Sequence, residues 1–383
     1  MSATEFRHHR IPPEAEAQRA PVREFLAEAL RQRTPLQRAE SWMGFDADFS
    51  RELGRRGWLG MALPKPYGGH EAGAFARYVV IEELLAAGAP VGAHWIADRQ
   101  SGPLILRYGT DAQRAKYLPG ICSGECFFSI GMSEPGSGSD LASIRTRAVR
   151  QSDGTWLING QKVWTTHAQR NHFMIALIRT GDKEQARHAG MSQFIIDLKA
   201  PGVTVRPIRD MSGAEHFNEV FFDNLVLTDA DMVGAEGQGW EQVTAELAFE
   251  RSGPERFLSS IALLHTMIDV IGRAPDALQA REIGRLTARL FTLRQMSLAV
   301  TAELAAGGNP SWAASCVKDM GTGFEQELPE LAQALLEVAP SVAGGSAHAQ
   351  VLAALMQAAP SFSLRGGTRE ILRGIIARGL GLR

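Results

Sequence analysis

Apolar residues recur at every third or fourth position over the first 120 or so residues, most plainly in Glu24-Phe-Leu-Ala-Glu-Ala-Leu30 and from Tyr78 to Ala87. That spacing predicts a helical N-terminal third. The stretch LPKPYGGHEAG at 63–73 reads as a loop between helices, and Tyr117-Leu-Pro-Gly as the break that closes the region. The texture then turns extended. Thr155-Trp-Leu-Ile and Gln161-Lys-Val-Trp-Thr-Thr flank Asn159-Gly160, a dipeptide suited to a type I′ hairpin because both central positions of that turn need φ > 0. Asp153-Gly154 marks another turn just upstream, so an antiparallel meander is expected. Phe173-Met-Ile-Ala-Leu-Ile, Phe194-Ile-Ile-Asp-Leu, Val203-Thr-Val and Glu219-Val-Phe-Phe continue it to about residue 228. From Trp240 onward helical spacing returns. Phe257, Ile261, Leu264, Ile268 and Ile271 fall on one face, which should sit in a helix–helix core. Gly307–Pro310 and Pro340–Gly345 separate later helices, and Gly366-Gly367-Thr368 opens the last. The reading is an α+β chain: an N-terminal helical domain over 1–122, a middle antiparallel β domain over 123–230 and a C-terminal helical bundle over 231–383.

With 383 residues, 45% of them hydrophobic, the chain can bury substantial cores. Lys plus Arg (40) nearly balances Asp plus Glu (42), which argues against a nucleic-acid or anionic-membrane partner. No run approaches the roughly 20 apolar residues of a membrane span, and MSATEFRHHRIPPEAEAQR has no apolar signal region, so a cytoplasmic protein is expected. Cys122, Cys126 and Cys316 are too few to staple the fold. The C-x3-C of the first two has no second ligand pair nearby, so no metal site is expected.

Gly131-Met-Ser-Glu-Pro-Gly-Ser-Gly-Ser-Asp140 is a polar, glycine-rich loop in which amides and hydroxyls can approach a phosphate or a flavin. It is not G-x-G-x-x-G and does not link a parallel strand to a crossover helix, so a Rossmann site is not expected. Gly234–Gly239 reads as the loop into the next helix. Just past the glycine-rich loop lies Trp156-Leu-Ile-Asn-Gly-Gln-Lys-Val-Trp-Thr-Thr166, and near the C-terminus Gly367-Thr-Arg-Glu-Ile-Leu-Arg-Gly-Ile-Ile-Ala-Arg378. These three motifs, in this order, resemble the acyl-CoA dehydrogenase family over essentially the whole chain.

The resemblance implies the acyl-CoA dehydrogenase fold, FAD as cofactor and an acyl-CoA thioester as substrate, with electrons leaving to an electron-transferring flavoprotein. It assigns Met132, Ser133 and Ser139 on the loop, and Trp164 and Thr166 on the following segment, to FAD; read from the residues alone, Trp164 would be a core side chain. The family reaction needs a carboxylate to take the α-proton and donors for the enolate-like thioester oxygen. Many members carry that glutamate immediately before the C-terminal Gly-Thr, where this sequence has Gly366. Members of the isovaleryl-CoA type carry it on the helix after the β domain, directly before an arginine. Glu250-Arg251 matches that arrangement, so the resemblance makes Glu250 the base, Arg251 its neighbour and the Gly366 amide a donor to the thioester. Glu370 is the alternative carboxylate, although the family uses it and Thr368 for nucleotide contact. Arg365, Arg369, Arg373 and Arg378 suggest a basic stripe, but Ile371, Leu372, Ile375, Ile376 and Leu380 predict a packed amphipathic helix.

Two departures bear on assembly. Homotetrameric members carry R-x-x-F-G, whose arginine reaches a neighbour's FAD; the corresponding stretch here is Ile268-Asp-Val-Ile-Gly272. The family's G-G-x-G-Y loop is unrecognisable around Val342–Ser346. Both losses fall on the half-site lent to a neighbour, which resembles the catalytic partner of α2β2 tetramers acting on steroid side chains and other bulky acyl groups. A homo-oligomer with rewritten contacts is the rival arrangement. An acyl-CoA oxidase and a non-catalytic subunit are the rival functions.

Overall fold

The computed structural model describes residues 6–181 and 188–382, without the side chains of 246–250. The chain divides into two compact units, one of Asp46–Glu71 and Gly92–Glu246, the other of Met1–Phe45, Ala72–Val91 and Leu247–Arg383.

The first unit is built on an eight-stranded sheet. Its strands are β1 (Phe128–Gly131), β2 (Arg147–Arg150), β3 (Trp156–Thr166), β4 (Phe173–Arg179), β5 (Met191–Asp197), β6 (Val203–Ile208), β7 (Phe217–Leu227) and β8 (Met232–Val233). They lie in the order β6-β7-β3-β2-β4-β5-β8, with β1 also on β4. The pairs β2–β3, β3–β7, β4–β5, β5–β8 and β6–β7 are antiparallel, as the alternating pattern predicts. Two pairs are parallel. β1 pairs with Phe173–Ala176 of β4, and β2 joins the same strand at Arg179. The chain between β1 and β2 therefore leaves the sheet opposite Ala176 and returns three residues further along β4, opposite Arg179, and this excursion contains the glycine-rich loop.

Met174, Ala176 and Ile178 of β4 belong to a core with Trp156, Phe194, Val220 and Phe222. Ile175 packs instead with Leu104, Tyr117, Leu118 and Ile121, on the helices Gly102–Tyr108 and Asp111–Ser123. With both faces covered, β4 reads as an unbroken apolar run instead of an alternation.

Three expectations need correction. Asn159-Gly160 does not turn; β3 runs through it, and its pairing with β7 slips between Ile158 and Gly160. Asn159 is not among the residues with positive φ, which a type I′ turn requires. Its side chain instead accepts the Asn224 amide at 2.9 Å. Gly160 has φ +149, and a Cβ there would lie 2.5 Å from Thr146 Oγ1 and 2.7 Å from Thr146 Cα. The glycine serves a bulge and a close strand approach. The actual turn is the one read at Asp153-Gly154, where Asp153 accepts the Thr155 amide at 2.9 Å and Gly154 takes φ +87. Pro119 does not end its helix either. Asp111–Ser123 continues past it because Tyr117, Leu118, Ile121 and Cys122 are buried along one side, and the stop comes at Gly124, φ +73.

The second unit is helical: Arg19–Ala29, Gly73–Ala86, Ile261–Ile271, Ala277–Ala305, Ser311–Leu336, Ala347–Phe362 and Arg369–Gly379 are its longer helices. Gly73–Ala86 is buried almost all round, including Glu82 and Glu83. Those carboxylates are met by Arg294 (2.6 Å) and Arg19 (3.0 Å) on Glu82 and by Arg23 (2.7 Å) on Glu83, which is how a buried helix keeps two acidic residues. The third correction lies on Ile261–Ile271. Its buried positions include Ile261, Leu263, Leu264 and Met267, Ile268 is 40% exposed, and Phe257 is buried outside the helix. The stretch preceding it, Pro254–Arg256, is a short 3-10 turn, which breaks the phase assumed for a continuous helix.

Replacing Gly160 by Ala should destabilise the protein by about 2–3 kcal/mol, from the strained φ and the collision with Thr146. Urea unfolding of Gly160→Ala beside wild type checks this; an unchanged midpoint would mean the strands can part without cost.

Candidate active site

In the sheet-bearing unit the loop that leaves β1 is pinned to β3 by one buried side chain. Lys162 is fully buried, and its Nζ donates to Glu134 Oε1 at 2.8 Å and to the Met132 carbonyl at 3.2 Å. Glu134 in turn accepts the backbone amides of Arg145 (2.6 Å) and Thr146 (3.0 Å), where the excursion returns to the sheet. The Val163 amide donates to the Ser133 carbonyl at 3.0 Å, so strand and loop are joined on both sides of Lys162. Arg179 closes the far end, its Nη2 donating to the Ala142 carbonyl at 2.8 Å.

Burial pushes the Glu134 carboxyl up, but the Lys162 charge and the hydrogen bonds from Lys162, Arg145 and Thr146 outweigh it and hold the group below its ordinary 4.5. Burial pulls the Lys162 ammonium down to about 8 against the opposing pull of Glu134. Both groups are thus charged near neutral pH.

The register of β3 on β7 slips a second time between Lys162 and Thr165. Trp164 sits in this bulge with φ +60, a backbone conformation that costs a non-glycine residue roughly 1–2 kcal/mol. The result is an indole turned out of the sheet: Trp164 is 58% exposed while Lys162 and Thr165 on either side are buried. Phe217 packs against the indole in a T-shaped arrangement, ring centroids 6.0 Å apart. Thr166 is half-buried, and its carbonyl accepts the Ser129 hydroxyl at 2.8 Å.

In the helical unit, Gly366 and Gly367 take φ +69 and +97 ahead of the helix Arg369–Gly379. The buried Arg251 donates from Nε to the Gly366 carbonyl at 3.1 Å. A Cβ on Gly366 would meet Arg256 Nη2 at 3.0 Å, so this turn has little room for a side chain. Arg365 anchors the preceding residue. Its guanidinium lies 4.3 Å from the Trp42 ring and 4.4 Å from the Phe362 ring, and Nη2 donates to Ser259 Oγ at 2.6 Å and Glu325 Oε2 at 3.3 Å.

Two family models match consecutive parts of the chain: the acyl-CoA dehydrogenase N-terminal domain over residues 12–125 and the acyl-CoA dehydrogenase middle domain over 129–225. The chain belongs to the acyl-CoA dehydrogenase family. It is 35% identical over 332 residues to the acyl-CoA dehydrogenase FadE34 of Mycobacterium tuberculosis, an alignment that covers 86% of this chain and 45% of FadE34. This chain therefore spans less than half of that longer relative. Among solved structures, the Tcur3481-Tcur3483 steroid ACAD matches with a TM-score of 0.85 and 27% identity, covering 99% of this chain and 98% of the other. The ChsE4-ChsE5 complex from Mycobacterium tuberculosis matches with a TM-score of 0.83 and 29% identity, covering 98% and 100%.

Acyl-CoA dehydrogenases are generally FAD-dependent, and the residues present suit that cofactor. A strained left-handed backbone holds the Trp164 indole 58% exposed beside Phe217, and an isoalloxazine ring would suit that exposed aromatic surface. Ser133, Ser139 and the amides of a glycine-rich loop supply hydroxyl and N–H donors of the kind a flavin edge and pyrophosphate accept. Met132 and Ser133 are half-buried, while Ser139 is exposed.

The remaining assigned residues are distributed as follows. Glu250 falls in the helix Gly239–Ser252, but its side chain lies outside the described residues. Arg251 and Gly366 are in direct contact. Thr368 stands at the N-cap position of the last helix without a side-chain cap hydrogen bond, and Glu370 is exposed in the first turn. That helix is held by Arg369 and Arg373 on Asp319, at 2.7 and 3.7 Å, so two arginines of the apparent basic stripe form ion pairs. Its apolar side is covered less than expected: Leu372 is fully buried, whereas Ile371 and Leu380 are 41% and 53% exposed. The pair Lys162–Glu134 was missed from sequence although both residues stand inside quoted motifs. The signal was a lysine at an inward position of an otherwise apolar strand face, which demands a buried carboxylate partner.

Glu134→Gln should cost about 3–5 kcal/mol near neutral pH by leaving the Lys162 charge unmatched. Because the folded carboxyl is lowered, its stabilisation is fully present above pH 4.5 and is lost as pH falls through the folded value. Urea unfolding of wild type and variant between pH 3 and 7 should show the gap between them narrowing only below about 4.5.

Proposed function

We propose that this chain catalyses FAD-dependent α,β-dehydrogenation of an acyl-CoA thioester, with Glu250 taking the α-proton. Bound FAD supplies the acceptor for the β-hydride at N5. The observation that carries the assignment is the contact between Arg251 and Gly366: the residue following Glu250 is hydrogen-bonded to the turn at which other family members carry their base. That turn has glycine torsions and little side-chain room, so it offers a backbone amide, and Gly366 N–H is suited to polarise the thioester carbonyl. Arg251 and Arg365 hold the turn in place from the Gly366 carbonyl and from the residue before it. Thioester binding would exclude water from Glu250 and raise its pKa, which strengthens it as a base. Met132, Ser133, Ser139, Trp164, Thr166, Thr368 and Glu370 form the cofactor set in this reading.

The substrate we infer is bulky or branched, in line with the steroid ACAD among the similar structures and with a base carried on the helix. Electrons pass to an electron-transferring flavoprotein. The loss of arginine at Ile268 and of the second neighbour-side loop favours an α2β2 tetramer with a second chain of the same family, and the similar ChsE4-ChsE5 structure is a complex of two differently named chains. Exposed Phe291, Met320, Ile371 and Leu380 in the helical unit supply apolar area for such a partner.

The test is the visible spectrum of the chain, purified alone and with its neighbouring reading frames, before and after straight, branched and steroidal acyl-CoAs. Yellow protein bleached by one class is expected, and Glu250→Gln should slow that bleaching by at least about 10³-fold while the bound colour stays. Oxygen uptake on turnover would favour an oxidase, and absence of flavin in both preparations would overturn the catalytic reading.

A further inference from the structure

Lys162 is fully buried, yet three parts of the candidate site depend on it. Its Nζ holds the Met132 carbonyl where the loop leaves β1. Through Glu134 it also fixes the amides of Arg145 and Thr146, where the loop comes back. Its own backbone stands at the last paired position of β3 before the slip that turns Trp164 outward, and the next residue, Val163, donates to Ser133. The stem is closely packed as well: a Cβ on Gly131 would lie 3.3 Å from Lys162 Cγ. A loop rich in glycine has little conformational preference of its own, so its shape must come from such outside contacts.

We propose that Lys162 is a positioning residue for the flavin, fixing the Met132–Ser133 backbone and the Trp164 bulge in one relation so that both meet the same ring. The inference rests on the flavoprotein reading above. Lysine suits the task because an ammonium on an unbranched stem can reach a carbonyl and a carboxylate at once. A neutral side chain of similar length would fill the space and leave the Met132 carbonyl unheld.

A general stabilising role and a positioning role separate in the double variant Lys162→Met/Glu134→Gln. It removes both buried charges together, and the single glutamine oxygen can still accept one of the two amides that Glu134 holds on separate oxygens. Its apoprotein should fold cooperatively and melt modestly below wild type, for the one amide left without an acceptor, whereas Lys162→Met alone, which strands the Glu134 charge, should melt further below it. The double variant should nevertheless bind FAD roughly tenfold or more weakly, read by quenching of FAD fluorescence on reconstitution, with an altered visible absorption band. Hydrogen exchange on wild type supplies a test independent of any variant: FAD should protect 131–134 and 161–166 together. Wild-type FAD affinity and spectrum in a well-folded double variant overturn the proposal, as does protection of one segment without the other. If wild type takes up no FAD at all, the flavoprotein reading fails and this inference with it.

Discussion

An ammonium removed from water is tolerable only when its charge and its donors are met at hydrogen-bond distance, and the sheet-bearing unit is organised around that requirement. Lys162 and Glu134 satisfy one another at 2.8 Å, and the carboxylate's remaining capacity is filled by two backbone amides instead of by solvent. The glycine-rich loop could otherwise adopt many shapes. Tied at both ends to this pair, it becomes an extension of the sheet. The two slips in the β3–β7 register flank the same residue: the first is made possible by Gly160, the second displaces Trp164.

The helical unit solves a related problem with a different residue. Arg251 and Arg365 present flat, permanently charged guanidinium groups to a carbonyl, a carboxylate and two aromatic rings, contacts a lysine could not reproduce. The short Gly366-Gly367 turn is thus held from its sides while its own torsions leave it free of side chains. The proposed reading, with a base on one segment and a backbone donor on another, requires the second segment to stay still, and the two arginines hold it there.

Much of this was legible in the sequence. The order of helical and extended texture, the turn at Asp153-Gly154 and the break before Thr368 each follow from local chemistry, and the structure reproduces them. What failed did so for identifiable reasons. Asn159-Gly160 satisfies a hairpin rule, but Thr146 approaches so closely that the glycine is needed for space, a long-range fact absent from a dipeptide. Pro119 breaks helices in isolation, whereas here burial of four neighbours outweighs one missing hydrogen bond. Trp164, read without a family, belongs in a core; only the bulge, which depends on pairing with a strand some fifty residues away, turns it outward. The candidate site was located through motif resemblance, while the ion pair that shapes it required coordinates.

The double-sided burial of β4 has an evolutionary consequence. From Met174 to Ile178 no position faces water, so a polar substitution at any of them would strand its polar atom without a partner, and a larger apolar one would have to displace a neighbour on one face or the other. The strand can change only in small, volume-matched steps coordinated with residues on two separate layers. It should therefore be the slowest-drifting segment of the chain among its relatives, because each of its side chains answers to one of two cores and none to water.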